Sequence, residues 1–219
     1  MSMDNVVMRV LNKLTDILVL NILFVVCSLP IFTIGASMTA MYTVSLRSVR
    51  YGDGYVCRTF FAAFKRNFKQ STAAWLMILG IGLLLFFDLR FWGIMKDRMP
   101  AYSNIFTAIS YGIGIFLWIV VMWLFPVMAK MDDRLFTQIK NAAKMAVAFF
   151  FPNTVLCLLI QGAAVYLAVH NVGMMMLMAV LGFAGISYMC SFFFYKAFSR
   201  FITEEPASED DPLFGELSR

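Results

Sequence analysis

ILVLNILFVVCSLPIFTIGASMTAMYTVSL, Ile17 to Leu46, contains no formally charged side chain. A helix crosses the hydrocarbon core of a bilayer with roughly 20 mostly apolar residues at about 1.5 Å rise each. The run is therefore longer than one crossing needs and too short for two ordinary ones. Pro30 removes a helix donor and restricts Leu29 before it. Gly35, Ala36, Ser37, Thr39 and Ala40 then offer small side chains that let helix backbones approach closely. The stretch reads as a first span kinked or broken at Pro30, its remainder completing the crossing or turning back as a re-entrant piece.

Four further apolar segments follow, at about Thr72–Phe87, Ile105–Met128, Ala142–Ala168 and Val172–Tyr195. Hydrophobic residues make up 61% of the chain and charged residues 14%, against about 25% charge in a typical soluble domain. The expected fold is all-α, a multi-pass transmembrane helical bundle of about five spans. One helical membrane domain is expected over 1–201, with an acidic, flexible cytoplasmic tail over 202–219.

Arg9 and Lys13 ahead of the first apolar run resemble a secretory leader. A leader's apolar core is usually only about 7–15 residues, so a retained span is expected instead. Residues 3–15 place Val6, Val7, Val10, Leu11 and Leu14 among Asn12, Lys13 and Asp4 at helical spacing, an amphipathic lead-in to that span.

Basic residues give orientation. Arg47, Arg50, Arg58, Lys65, Arg66 and Lys69 gather before the second segment, Lys130, Arg134, Lys140 and Lys144 before the fourth, and Lys196 and Arg200 after the fifth. The positive-inside rule puts these three regions and the C-terminus in the cytoplasm of a bacterial cell. With five complete spans the N-terminus is then outside, against the preference of Arg9 and Lys13. The six basic residues of 47–70 outweigh those two, which favours one kinked crossing with the N-terminus outside; a turn at Pro30 would instead put both ends inside. Anionic lipid headgroups are the default partners of these basic faces, and the net charge of +5 does not call for nucleic acid.

Phe60, Phe61, Phe64 and Phe68 recur at helical spacing beside Lys65, Arg66 and Lys69, an amphipathic helix at the membrane surface. Phe61–Lys69 and Phe136–Lys144 also echo each other, each matching Phe, Lys and Lys in the same order. The echo suggests a parallel two-span repeat; ordinary interfacial chemistry, with lysines one turn apart, produces the same pattern.

Catalytic signals are sparse. Walker, HExxH and nucleophile-elbow patterns do not occur in the sequence. Cys27, Cys57, Cys157 and Cys190 fit no metal spacing and read as packing residues, and His170 is a lone histidine in a connection. No enzyme and no cofactor are expected; an enzymatic reading would rest only on Asp16, Asp88 and the acidic tail.

The segment Leu11–Tyr42, with Asn12-Lys13, Asp16, Leu29-Pro30 and Thr33-Ile34-Gly35-Ala36, resembles the opening of YesL-like bacterial membrane proteins. Phe60–Ser71, FFAAFKRNFKQS, resembles their second recognisable stretch. Members of this family, which has no established activity, are often found beside carbohydrate uptake and degradation systems. The resemblance implies a non-enzymatic accessory or scaffold component of such a system, with carbohydrate-uptake transporter subunits as partners. A small transporter or channel for sugars is the alternative. Candidate structural or interaction residues are Asn12, Lys13, Asp16, Pro30, Thr33, Gly35, Ala36, Ser37, Phe64, Lys65, Arg66 and Lys69.

Overall fold

The computed structural model describes residues 3–51 and 55–201, and these are helical almost throughout. The acidic tail expected over 202–219 lies outside the described residues. The described residues form eight α-helices: α1 Met3–Cys27, α2 Ile34–Tyr51, α3 Val56–Met95, α4 Pro100–Lys130, α5 Leu135–Ala148, α6 Val155–His170, α7 Val172–Leu177 and α8 Phe183–Phe201. Among the described residues, four stretches are long and apolar enough to cross a membrane: Val10–Cys27, α3, α4 and Val180–Ser199, while α6 is apolar but shorter.

The lead-in is continuous with the first apolar helix, as expected. Helix α1 ends because Pro30, at φ −74° and ψ 115°, cannot continue it. Thr33 Oγ1 sits 2.6 Å from the Cys27 carbonyl oxygen at the end of α1 and 2.6 Å from the Pro30 carbonyl oxygen, which also accepts from the Thr33 backbone N–H at 2.9 Å. A short 3₁₀ turn, Ile31–Thr33, then launches α2.

Helix α2 runs back along α1, which corrects the expectation of a single kinked crossing. Lys13 Nζ donates to the Ser48 carbonyl at 3.1 Å and to Ser48 Oγ at 2.7 Å, so the open ends of the hairpin lie side by side. At the closed end Trp75 Nε1 donates to the Ile31 carbonyl at 2.8 Å. The tip is thus level with the start of the apolar run of α3, not with its far end near Asp88. Residues 31–46 return to the side from which α1 came, in keeping with Arg9 and Lys13, the signal that charge counting had overruled.

The reason α2 turns inward is in its composition. Residues 35–46 are buried at every position but the half-buried Met38, and Ser37, Thr39, Thr43 and Ser45 carry hydroxyls that lipid would not satisfy. Thr39 Oγ1 meets Ser71 Oγ of α3 at 2.8 Å, and Ser45 Oγ meets Ser187 Oγ of α8 at 3.2 Å. Gly35 makes the closest approach: a Cβ there would lie 2.6 Å from Trp75 Cβ and closer still to the Ser71 carbonyl oxygen.

A second core surrounds Trp123, fully buried in α4. Its Nε1 donates to Thr154 Oγ1 at 3.0 Å, and its ring packs on Phe194 of α8 at 4.8 Å. The fourth predicted segment is therefore not one helix. The backbone is extended at Phe151, φ −118° and ψ 130°, between α5 and α6.

The echo extends to burial. Ala63, Asn67 and Ser71 of α3 are buried, as are Gln138, Ala142 and Ala146 at the matching positions of α5. Beyond them the two part company, because α3 continues to Met95 while α5 stops at Ala148.

Two expectations follow. Gly35→Leu should destabilise the protein by about 1–3 kcal/mol or more in detergent unfolding, since neither colliding backbone can give way cheaply. Gly80→Leu, where a Cβ meets nothing within 4 Å, should leave stability unchanged. In a background lacking Cys27 and Cys57, Met8→Cys and Lys69→Cys should react with an impermeant maleimide from the same side, and Lys96→Cys from the other. Labelling of Met8→Cys together with Lys96→Cys would mean that the hairpin crosses.

Candidate functional site

The family-like residues assemble into one seam along the hairpin. Lys13, besides its two bonds to Ser48, lies 5.2 Å from the ring centroid of Tyr188, so α1, α2 and α8 meet at one ammonium group. Asp16 is half-buried on the same helix, and Asn12 is exposed. Pro30, Thr33 and Gly35 form the tip described above, and Ala36 and Ser37 are fully buried beside it.

Between the two ends Asn21, fully buried, accepts from the Ala184 backbone N–H at 3.0 Å. That donor sits where α8 opens after the wide turn Met178–Gly182, and Asn21 supplies a side-chain acceptor at that helix start.

The surface stretch on α3 is only partly as its spacing predicts. Phe60 is buried and Phe64 and Phe68 half-buried; the Phe60 ring stacks on Phe64 at 6.1 Å, and Phe64 meets Phe68 at a tilt, 5.5 Å between centroids. Phe61 is 51% exposed, on the same side as Lys65, Arg66 and Lys69. Arg66 approaches Asp132 in the α4–α5 link at 3.8 Å, an exposed pair worth at most about 1 kcal/mol.

Beside the seam a cleft of about 440 Å³ opens between α2, α4, α6 and α8, with Phe24, Met38 and Trp118 among its walls. Tyr42, Gln161 and Ser187 supply its polar groups. Its chemistry suits an apolar guest with one or two hydrogen-bonding atoms. At the opposite end of α3, Asp88 accepts from Trp92 Nε1 at 3.2 Å and from Ser110 Oγ of α4. His170 is exposed and stacks on Tyr166 at 4.3 Å. Among the described residues, no three His, Cys, Asp or Glu side chains are placed to hold a metal ion.

Nothing in the sequence alone singles out Ser48, Tyr188 or Tyr42. The recurrence of Ser37, Thr39, Thr43, Ser45 and Ser48 along one helix was the available signal that α2 is an interior element.

These features define an all-helical protein with membrane-length apolar helices, built on a tight N-terminal hairpin. A family model described as "Protein of unknown function, DUF624" matches residues 17–89. The "Uncharacterized protein YesL" of Bacillus subtilis (strain 168) is 30% identical over 156 residues, covering 70% of this chain and 69% of that protein. The chain belongs to the YesL-like family. No solved structure matches it significantly.

The Lys13 clasp yields a test. Lys13→Met should cost about 1–3 kcal/mol of stability, since it removes a charge-assisted donor from Ser48 and from the Tyr188 face. In a double-mutant cycle with Ser48→Ala the two losses should be non-additive by about 0.5 kcal/mol or more; strict additivity would mean that the contact carries no energy.

Proposed function

We propose that this protein is a non-enzymatic accessory or scaffold component of a bacterial cell-membrane system linked to carbohydrate uptake or utilisation. The observation that carries the reading is the exposed basic ladder on rigid helices. Lys65, Arg66 and Lys69 project from α3, and Lys140 and Lys144 project from α5. Under the positive-inside rule this side is cytoplasmic, as are both ends of the α1–α2 hairpin and the C-terminus. There it faces anionic headgroups and the cytoplasmic parts of a transporter subunit. Carbohydrate comes from the family resemblance, and the non-enzymatic role from the lack of catalytic patterns in the sequence.

The cleft favours the alternative, a small-solute transporter, in one respect only: it is a cavity beside a helix that carries a break. Its walls are mostly hydrocarbon, thioether and aromatic, whereas a sugar needs a hydrogen-bond partner for most of its hydroxyls or pays about 1–3 kcal/mol for each one left buried and unpaired. The accessory reading is therefore preferred.

Crosslinking in native membranes with partner identification separates the two. The accessory role requires a transporter subunit to be recovered, and recovery should fall several-fold in a Lys65→Glu, Arg66→Glu, Lys69→Glu variant but not in Lys96→Glu. Purification without a stable partner, combined with unchanged sugar uptake on deletion, would overturn it.

A further inference from the structure

Three apolar cavities share walls along α4. The cleft of about 440 Å³ beside the seam adjoins a second of about 350 Å³, and Met38, Tyr42, Trp118 and Gln161 line both. The second adjoins a third of about 450 Å³ at Gly114 and Trp118. From Ser110 to Phe125 the shared α4 wall is roughly 22 Å long at about 1.5 Å per residue. Trp118 is 55% and Val165 53% exposed, so the walls are open on one side. Among the described residues, no charged side chain lines any of the three.

The polar groups at the junction are donors. Tyr42 is only 4% exposed, and its hydroxyl has no hydrogen-bonding partner among the described residues. Buried polar groups are nearly always paired, so a hydroxyl that lines a cavity without a partner points to a ligand. Trp118 adds an indole N–H and Gln161 a side-chain amide to the same junction. Ser187 is already engaged with Ser45. The glycines supply room: a Cβ at Gly114 or at Gly162, which also lines the third cavity, would meet nothing within 4 Å.

We propose that the three cavities are one groove for an ester-linked acyl chain of a membrane glycerolipid, whose carbonyl accepts hydrogen bonds from Tyr42 and Gln161. An ester carries only acceptors, which suits a junction whose groups donate. A fatty carboxylate would need a cation that the walls lack. A partner helix already uses its carbonyls within itself. The polarity of the groove sets the direction of the lipid. Along α3 the walls run from Trp75, beside the junction, to Leu89, beside Ser110. The carbonyl therefore lies towards the half of α3 that carries Lys65 and Lys69, and the chain runs towards Asp88.

The test reconstitutes the full chain in nanodiscs of palmitoyl-oleoyl phosphatidylglycerol mixed equally with its diether analogue, which keeps the headgroup and chains and lacks the ester carbonyls. Native mass spectrometry then reads which lipid stays on the released protein. A single retained lipid is expected, with the ester form favoured about threefold or more, the ratio one hydrogen bond gives. Tyr42→Phe should retain lipid with that preference reduced. Gly114→Leu combined with Gly162→Leu should lose the retained lipid at an unchanged unfolding temperature, whereas Gly80→Leu, away from the groove, should keep it. No retained lipid, or equal retention in the double variant, would overturn the groove. Equal retention of ester and ether lipid by the native chain would overturn the carbonyl contact, and this comparison decides even if the double variant fails to fold.

Discussion

The absence of a side chain at Gly35 is the constraint on which the rest of the bundle rests. It brings α2 against the backbone of α3 at Ser71 and Trp75, and that contact sets the height of the hairpin tip. Once the tip is fixed, Thr39 meets Ser71, Ser45 meets Ser187, and Lys13 meets Ser48 and Tyr188. Each of these pairs satisfies polar atoms that neither lipid nor a loosely packed interior could accommodate. A helix made of α2's residues has no stable place except in the middle of other helices, and the glycine is what lets it in.

The second organising element is Trp123, which ties three separate chain segments together. Its ring packs on Phe194 and Phe149, and its N–H reaches Thr154 across the break between α5 and α6. Thr154 in turn donates to the Phe149 carbonyl at 3.0 Å. The break is thus a hydrogen-bonded corner, in which the Phe149 carbonyl accepts from both the hydroxyl and the backbone N–H of Thr154.

How much of this was legible depends on whether a residue's own chemistry or its partner's decides the outcome. Pro30 and Gly35 were readable because a missing donor and a missing Cβ act wherever they occur. The direction of α2 was not, because counting charges compares loops and carries no information about which height a turn reaches; the contact that reveals it, Trp75 to Ile31, joins residues far apart in sequence. Four phenylalanines at helical spacing suggested one apolar face, yet a helix cannot put both Phe60 and Phe61 on it, and Phe61 points away. The corner between α5 and α6 was not readable, because it is fixed by Trp123 from another helix.

Helix α3 has 40 residues, which at about 1.5 Å per residue is roughly 60 Å of uninterrupted rod. The hydrocarbon layer is about 30 Å thick. A rod of that length is about twice what a crossing needs; Lys65 and Lys69 lie on its first half and Asp88 towards its far end. Unlike the α5–α6 pair, it has no corner at which to absorb a bend. In a rod without a corner, a tilt at the basic end is a tilt of the apolar end by the same angle.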